Sequence, residues 1–465
     1  MRKGGIFGLL LLWGLGAFGQ RKCGIVDERN ALIAQDASWI QKFENQRSLL
    51  QSIADNYLAQ HAEGKEQRAT SIPTIPVIFH IMVTNAQLAR MGGIDGLKMR
   101  VDSQMVVLNR DYNRQNADSV MIPSLWKPLY GNPGIRFGLA HTSPIGWNSP
   151  GYELKIIPDV PGGFYAGTGG IYSDAKYDST GGLNAWDISR YVNVWCYNFA
   201  DASGYLGLTY SKSFTIATTR DQEGISLYYP ALGCQDTGGT LFFPYGHSFR
   251  LGRTLTHEMG HYFEIWHTWG DDGFDDCPWS GSHRDDGIAD TPPQGNSSAG
   301  LPAYTIPDGT LNDVCQDSMM VNMQSIGYAC LDFMDYTDDS GMHLFTPMQA
   351  AVMASMVSPG GESYSLTQHP ELLQYPANTG IAGVNVGLDF SISPNPSTGL
   401  ICVTSSQKMQ KLVLYSAIGQ EISLPPGTGQ GENYYSIDLS GLDKGIYFLR
   451  CNFATGSITS KVLLQ

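Results

Sequence analysis

The stretch His257-Glu258-Met259-Gly260-His261, followed by His267, decides how the middle of this 465-residue chain folds. On a helix, residues i and i+4 share a face, so His257 and His261 can bind one metal ion. Three protein ligands leave one position of a zinc ion open, where the pKa of a bound water falls from ~15.7 to about 7. The pattern predicts a zinc hydrolase that cleaves peptide bonds, with Glu258 taking the proton from that water.

The spacing of the third histidine and a motif further along the chain support this prediction. His267 comes six residues after His261, and the segment Phe333-Met334-Asp335-Tyr336 has the pattern of a Met-turn. An HExxH string alone also occurs by chance in surface helices, and Met334 and Tyr336 taken alone are typical of core packing. The motifs occurring together favour a metal site.

These motifs resemble those of the pappalysins, a family of metzincin zinc metallopeptidases. The resemblance covers most of the middle of the chain and includes, in the same order, segments 251–256, 267–269, 286–293, 334–339 and 345–347. It implies an α/β catalytic domain with a mixed twisted sheet, a zinc-binding active-site helix and a Met-turn. It also implies roles for individual residues: zinc ligands His257, His261 and His267, catalytic base and acid Glu258, Met334 beneath the metal, and Tyr336 stabilising the transition state.

The chain departs from the metzincin pattern at Glu264, where the long motif has glycine. A left-handed backbone at this position costs a non-glycine residue roughly 1 to 2 kcal/mol. We therefore expect a somewhat different turn to deliver His267. The alternative is that the helix continues, in which case Glu264 approaches the metal on the face of His257.

The N-terminus predicts two segments that precede the catalytic domain. Residues 1–19 have the basic start, the short apolar run and the small residues of a signal peptide. Residues 20–70 are charged and Gln-rich, with apolar residues at roughly helical intervals. We interpret them as a helical propeptide, followed by a catalytic domain over 71–375.

Cys23, just after the signal peptide, resembles the cysteine switch of other metzincin zymogens. A thiolate is a strong zinc ligand, so Cys23 can occupy the fourth zinc position and keep the enzyme latent. The alternative is an ordinary surface or disulfide-bonded cysteine, with Asp27 as the residue that blocks zinc.

The sequence also predicts disulfide bonds and a calcium site. The family resemblance implies a disulfide between Cys277 and Cys315, and Cys402 and Cys451 are a candidate pair within the C-terminal region. The acidic, Gly-rich segment 270–290 is suited to structural Ca²⁺, which prefers carboxylate and carbonyl oxygens. The alternative for this segment is a solvated acidic loop.

Substrate preference is predicted from the residues after the Met-turn. The resemblance implies that this segment lines the S1′ pocket, and Asp339 matches the expected position better than Asp338. A carboxylate there favours Arg or Lys directly after the scissile bond through charge-assisted hydrogen bonds.

The C-terminal region has a different pattern from the catalytic domain. Residues 376–383 predict a linker, and 384–465 contain short alternating strands separated by turns, which predicts an all-β sandwich. Ser393-Pro394-Asn395-Pro396 and Gly445-Ile446-Tyr447 resemble the sorting domain of type IX secretion substrates. This resemblance implies the outer-membrane secretion machinery as a partner and a secreted or outer-surface location. The alternative is a carbohydrate-binding or adhesive β-module.

Composition limits the remaining possibilities. The hydrophobic content of 42% supports a sizeable core, and the net charge of -14 argues against nucleic acid as a partner. Beyond the signal peptide no run of about 18 apolar residues predicts a transmembrane anchor. Two functions remain: a secreted zinc endopeptidase made as a latent zymogen and acting on proteins or peptides, or a catalytically silent zinc-binding surface adhesin. Glu258 favours the peptidase, because an adhesin needs no general base.

Overall fold

The computed structural model describes most of the chain: residues 23–61, 72–158, 173–199, 205–213, 215, 219–234, 248–271, 285–298, 300–301, 320–321, 324–325, 329–375, 390–416, 420–424, 433–454 and 456–465. The predicted signal peptide, the predicted linker, Cys277 and Cys315 lie outside these ranges. Within the ranges, no helix has the length and apolar character needed to cross a membrane.

Two helices form the N-terminal region, as the apolar spacing predicts: α1 (Ile25–Gln35) and α2 (Ser38–His61). Their apolar residues fall on faces that pack against the rest of the protein, and Ile25, Phe43 and Leu50 are buried there. The backbone of Asp36 is extended and ends α1, and α2 begins two residues later at Ser38. The helical propeptide therefore lies on the catalytic domain.

A mixed sheet forms the base of the catalytic domain. Its strands are β1 (Thr74–Val83), β2 (Arg136–Leu139), β3 (Tyr152–Ile156), β4 (Val192–Tyr197), β5 (Gly207–Tyr210) and β6 (Gly224–Tyr228). The order is β2-β1-β4-β6-β5, with β3 also beside β1, and only β5 runs antiparallel to its neighbour among these strands. β1 is buried along nearly its whole length, as expected for a strand covered on both faces.

Three helices accompany this sheet: α3 (Asn85–Arg90), α4 (Gly93–Asp111) and α5 (Arg253–Tyr262). α4 buries Leu97, Val101 and Leu108 at intervals of four and seven residues, so one face is apolar. Helix α4 packs against strand β2 of the sheet and against α5. α5 is the helix that the HExxH motif predicts, and every residue in it is buried.

The chain after α5 includes β7 (Met320–Val321), β8 (Gln324–Ser325) and α6 (Pro347–Met356). Thr346 and Gln349 form a capping box at the start of α6, and Pro347 occupies its first turn. α6 supports propeptide helix α2. Short 3₁₀ helices span Ala117–Met121, Lys127–Leu129, Ser173–Lys176, Asp178–Thr180, Arg220–Gln222, Tyr229–Ala231, Tyr364–Gln368 and Pro370–Leu373.

The C-terminal domain consists of antiparallel strands in two sheets. The strands are β9 (Phe390–Ser393), β10 (Leu400–Ser405), β11 (Lys411–Ser416), β12 (Glu421–Ile422), β13 (Tyr434–Asp438), β14 (Gly445–Phe453) and β15 (Gly456–Leu464). One sheet has the order β13-β10-β9 and the other β12-β11-β14-β15. Apolar residues such as Val403, Leu414 and Leu449 form its own core, as the predicted all-β sandwich requires.

The suggested bridge between Cys402 and Cys451 is wrong, because both are free thiols in the structure. Cys402 belongs to the apolar cluster of the catalytic domain, whereas Cys451 belongs to the cluster inside the C-terminal domain. Their side chains therefore serve two different cores. Burial raises the pKa of each thiol to about 12, so both stay protonated at neutral pH.

Candidate metal centre

Three histidines converge at the C-terminal half of α5 and the turn that follows it. The Nε2 atoms of His257, His261 and His267 lie 3.1 to 3.2 Å from one another. All three side chains are buried. The predicted histidine triad is therefore brought together in one place.

Hydrogen bonds fix the orientation of each ring. The Nδ1 atoms of His257 and His261 each lie 2.7 Å from a backbone oxygen, of Phe333 and Ile265 respectively. A carbonyl can only accept, so each Nδ1 carries the proton and each Nε2 presents a lone pair. Burial and the neighbouring His267 hold the pKa of His261 well below its usual value, which keeps that ring neutral.

This arrangement fits a metal ion. Three Nε2 lone pairs that face one another in a buried space repel unless a cation lies between them. Neutral imidazoles whose Nδ1 atoms are hydrogen-bonded are the usual form of zinc-binding histidine. Within the described residues, Cys23 and these three histidines are the group of side chains found close enough together to hold a metal.

Asp271 fixes the orientation of the His267 ring. Its carboxylate Oδ1 accepts a hydrogen bond from His267 Nδ1, and both side chains are fully buried. Trp269 stacks on the His267 ring at a centroid distance of 4.3 Å. In the sequence, Asp271 belongs to the acidic segment that predicts calcium, and its role beside His267 is not predicted. Its position four residues after the third histidine is the signal that could have indicated it.

Glu258 lies beside the histidines, against edge strand β5. Thr209 Oγ1 is 2.7 Å from Glu258 Oε2 and 2.9 Å from its backbone oxygen. Gly207 leaves just enough room for the carboxylate, since a Cβ on residue 207 would overlap it. The strand therefore fixes the position of the general base that the motif predicts.

The start of α5 explains the position of Asp339. The cap residue Gly252 has φ 82° and no side chain to cap the helix. Instead, Asp339 Oδ2 accepts a hydrogen bond from Leu251 N at 2.7 Å, and its backbone oxygen accepts one from the Arg253 guanidinium at 2.8 Å. Asp339 is fully buried. Asp339 therefore stabilises the start of α5, and its buried position argues against the predicted contact with a substrate side chain. Asp338 is partly exposed.

Glu264 forms the turn that delivers His267. Its φ of 70° is left-handed, and the Ile265 N–H donates to Gly260 O at 3.0 Å, as in a helix-ending Schellman turn. The turn is therefore the one that glycine usually makes, and the expectation of a different turn is wrong. The Glu264 carboxylate accepts hydrogen bonds from Ser213 Oγ at 2.7 Å and from Gln46. The alternative in which α5 continues is also wrong.

The Met-turn lies beneath the histidines. A Cβ on Gly260 would overlap Met334 Sδ, so α5 rests closely on this methionine. The Tyr336 ring lies 5.9 Å from His257 and 4.9 Å from His267 between ring centroids. Burial raises the pKa of Tyr336 well above its usual value, and the neighbouring Cys23 raises it further. The phenol is therefore a neutral donor.

The propeptide reaches the same centre through Cys23. Its Sγ is 3.5 Å from Glu258 Oε2 and belongs to the group of side chains that could hold a metal ion. Cys23 pairs with Gly207 in a parallel bridge, and its N–H donates to the Tyr336 hydroxyl at 3.0 Å. Burial and the neighbouring Glu258 raise the pKa of the thiol. Asp27, the alternative blocker, is exposed.

The acidic segment after His267 is described only in part. Asp286 accepts hydrogen bonds from Ile288 N and Thr291 Oγ1, and Asp290 accepts from Thr346 Oγ1 and Met348 N. These carboxylates are engaged by their own and neighbouring segments. Asp272, Asp275 and Asp276 fall within residues 272–284, which lie outside the described ranges. Calcium at this segment stays a prediction.

Comparison with known proteins gives two sets of similarities for the catalytic part. A mature mirolysin of Tannerella forsythia in complex with a cleaved peptide is 31% identical, with a TM-score of 0.53 over 66% of this chain and 99% of that one. A promirolysin mutant from the same organism is 28% identical, with a TM-score of 0.56 over 75% and 98%. An extracellular metalloprotease of Verticillium alfalfae is 31% identical over 63% of this chain and 78% of that protein.

The C-terminal part matches a family model of its own. Residues 391–465 match the secretion system C-terminal sorting domain. The match begins close to the predicted start of this domain at 384 and covers all its strands except the first residue of β9. The chain therefore combines a catalytic region and a sorting region.

Proposed function

Since this chain belongs to the pappalysin family of metallopeptidases, we propose that it cleaves proteins or peptides with zinc held by His257, His261 and His267 and with Glu258 as general base. It is a metalloendopeptidase with zymogen relatives, secreted or located on the outer cell surface. The convergence of three deprotonated Nε2 atoms beside Glu258 carries the proposal.

Zinc bound there would supply Lewis acidity, which polarises a carbonyl and makes a water molecule more acidic. Glu258 accepts the proton of the attacking water at Oε2 and then gives it to the leaving amine. Thr209 holds this oxygen in position, and the buried surroundings strengthen the interactions of its charge. Asp271 keeps the His267 ring oriented.

Tyr336 stabilises the negative charge that develops on the substrate carbonyl oxygen. Its hydroxyl is neutral and lies next to the histidines, at the place where Cys23 now contacts it. A neutral donor aimed at a developing oxyanion lowers the barrier without a competing charge. Met334 provides the apolar floor against Gly260.

Latency depends on Cys23 in this proposal. With zinc bound, the Cys23 thiolate would join the three histidines as a ligand and keep the catalytic water out, while the Cys23 backbone occupies Tyr336. Cys23→Ser in the full-length protein should therefore give chelator-sensitive cleavage before any propeptide is removed. An uncleaved Cys23→Ser protein as inactive as the parent would contradict this role.

The proposal also includes a preference for Arg or Lys directly after the scissile bond. Asp338 and Asp339 follow the Met-turn, and a carboxylate there pairs with a basic side chain. Asp339 caps α5 inside the protein, so the partly exposed Asp338 is the better candidate to meet a substrate. Structural Ca²⁺ bound near segment 270–290 belongs to the same proposal and is tested by calcium-dependent thermal stability.

The test is cleavage of a quenched-peptide library by enzyme matured from the full-length protein, with and without a zinc chelator. Glu258→Ala should lower kcat by about 100- to 10 000-fold while zinc content stays stoichiometric. Glu371→Gln is the matched control, since its side chain is 57% exposed. Stoichiometric zinc without any cleavage would contradict the peptidase and support a silent adhesin.

A further inference from the structure

Arg29 of α1 is buried beside the metal centre in a set of complementary contacts. Its guanidinium Nη1 lies 2.5 Å from Asp271 Oδ2, and the side chains are 6% and 0% exposed. Its Cζ lies 3.4 Å from the centre of the Trp266 ring, and Phe43 of α2 lies on the guanidinium at 5.9 Å. The buried guanidinium of Arg29 therefore has a carboxylate partner, Asp271, and an aromatic partner, Trp266.

The two sides of this pocket belong to different parts of the chain. Arg29 and Phe43 lie in the propeptide helices, whereas Trp266 and Asp271 lie in the catalytic domain next to His267. Removal of the propeptide takes away the cation and one aromatic ring. It leaves the Trp266 indole and the Asp271 carboxylate facing the space that Arg29 filled.

These two residues offer what recognition of a basic side chain requires. A carboxylate pairs with guanidinium or ammonium, and an indole face attracts either cation. The two carboxylate oxygens of Asp271 have different partners: Oδ1 accepts a hydrogen bond from His267, and Oδ2 pairs with Arg29. The Trp266 Nε1 donor is also buried without an acceptor in the part of the chain that the structure describes. It can donate to a carbonyl of a bound peptide.

We infer that Asp271 and Trp266 form a subsite for an Arg or Lys side chain of the substrate, which Arg29 occupies in the zymogen. The inference rests on the proposed peptidase function and adds a specificity determinant distinct from Asp338 and Asp339. The net charge of -14 favours the approach of basic peptides. Asp271 therefore both orients His267 and selects the substrate.

The first experiment measures binding, without catalysis. A peptide of residues 21–35 carrying Cys23→Ser is titrated against enzyme matured in trans from the full-length Glu258→Ala protein. Arg29→Met in the peptide should weaken binding by about 10- to 100-fold, and Arg29→Lys by less. With Asp271→Asn enzyme, whose Asn oxygen can still accept from His267, the effect of Arg29→Met should disappear. Zinc content is measured in each enzyme.

The matched control is Glu371→Gln, which removes one carboxylate at an exposed position of the catalytic domain and should leave the full Arg29 effect. An equal loss on Arg29→Met in the Asp271→Asn and parent enzymes would overturn the subsite. Because no bond is cleaved, this result does not depend on whether Glu258 is the general base.

The second experiment measures selection among substrates. Active enzyme should prefer Arg or Lys over norleucine by about 10-fold or more at one peptide position besides P1′. In Asp271→Asn enzyme the ratio of kcat/KM for the basic over the norleucine peptide at that position should fall to about 1, whatever the change in its overall turnover. Cleavage with no such position, or a preference insensitive to Asp271→Asn, contradicts the subsite while leaving the peptidase intact. Absence of all metal-dependent cleavage would instead contradict the proposed function.

Discussion

Glu264 shows how one residue reconciles a strained backbone with a buried charge. Its φ of 70° costs a non-glycine residue about 1 to 2 kcal/mol. Hydrogen bonds from Ser213 N and Oγ to its carboxylate offset that cost. Burial raises the pKa of Glu264 to about 7. The side chain therefore ties the turn before His267 to the segment that follows β5.

We predict that Glu264→Ala destabilises the protein more than Glu264→Gly, by about 1 to 2 kcal/mol. Both variants lose the carboxylate, but only alanine keeps the left-handed strain. The measurement is urea unfolding of the full-length protein in a Glu258→Ala background. Exposed Arg114, with φ 54°, is the control: its alanine and glycine variants should differ by a similar amount. Equal stability of the two Glu264 variants would count against strain at this turn.

Lys176 is a second buried charge, away from the metal. Its Nζ donates to Gln222 O at 2.6 Å and lies 4.1 Å from the Tyr210 ring centre. Burial lowers the pKa of Lys176 to about 7, although Glu28 of the propeptide opposes this shift. The unfolded chain holds this proton up to its ordinary pKa of 10.5, whereas the native protein releases it from about pH 7.

Stability from this group should therefore rise between about pH 7 and 10.5, because the unfolded state binds more protons there. The gain approaches about 1.4 kcal/mol for each pKa unit. A Lys176→Met and Glu28→Gln double variant removes both charges and should lose this rise relative to the parent. Thermal unfolding of the zymogen across the pH range measures it. Parallel pH profiles for the two proteins would refute the prediction.

At the level of elements, α5 depends on partners that lie far away in sequence. Its first turn is capped by Asp339, and Arg253 in that turn donates to Asp118 Oδ1 at 2.8 Å. Strand β5 holds Glu258 of this helix in place from the other side, through Thr209. Distant segments therefore hold α5 both at its N-terminus and on the face that carries Glu258.

Gly207→Ala tests the contact between β5 and α5. The added Cβ would overlap the Glu258 carboxylate, so either the strand or the base must move. We expect kcat/KM of the matured enzyme to fall by about 100-fold or more, with zinc content unchanged. Gly441→Ala, where a Cβ meets nothing within 4 Å, is the matched control. Normal turnover in the Gly207 variant would show that the strand does not constrain the base.

At the level of the whole molecule, three regions carry three tasks. The propeptide helices cover the metal centre, the mixed sheet and α5 build it, and the C-terminal sheets form a separate apolar core. In the described residues, the C-terminal domain contacts the catalytic domain through Cys402, which packs in the catalytic cluster, and through polar contacts such as Ser393 Oγ with Leu154 N at 3.0 Å. Catalysis and sorting are therefore separable.

We predict that deletion of residues 391–465 abolishes delivery to the outer surface without abolishing catalysis. The deleted part has its own core and contributes no side chain to the metal cluster. Cell fractionation should find the truncated protein inside the cell, and the purified, matured form should keep chelator-sensitive cleavage within about threefold of the parent, because the metal ligands and base are untouched. Surface delivery of the truncated protein would contradict the sorting role.

Much of the site could be predicted because its signals are local. His257, Glu258 and His261 are close on one helix, and helical periodicity alone places them on adjacent faces. The propeptide helices and the C-terminal strands likewise follow from short-range patterns. For Glu264, intrinsic backbone preference favoured a different turn, and hydrogen bonds from Ser213 decided otherwise.

The sequence by itself determined the three histidines that converge at α5, the helical propeptide and the β-rich tail, because periodicity and motif spacing act within a few turns or strands. Only the tertiary structure decided that Asp271 orients His267 and receives Arg29, that Asp339 caps α5, and that Cys402 and Cys451 stay apart. The two partners of Asp271 illustrate the reason. Arg29 precedes it by 242 positions, and packing between distant segments, which no local pattern encodes, sets that contact.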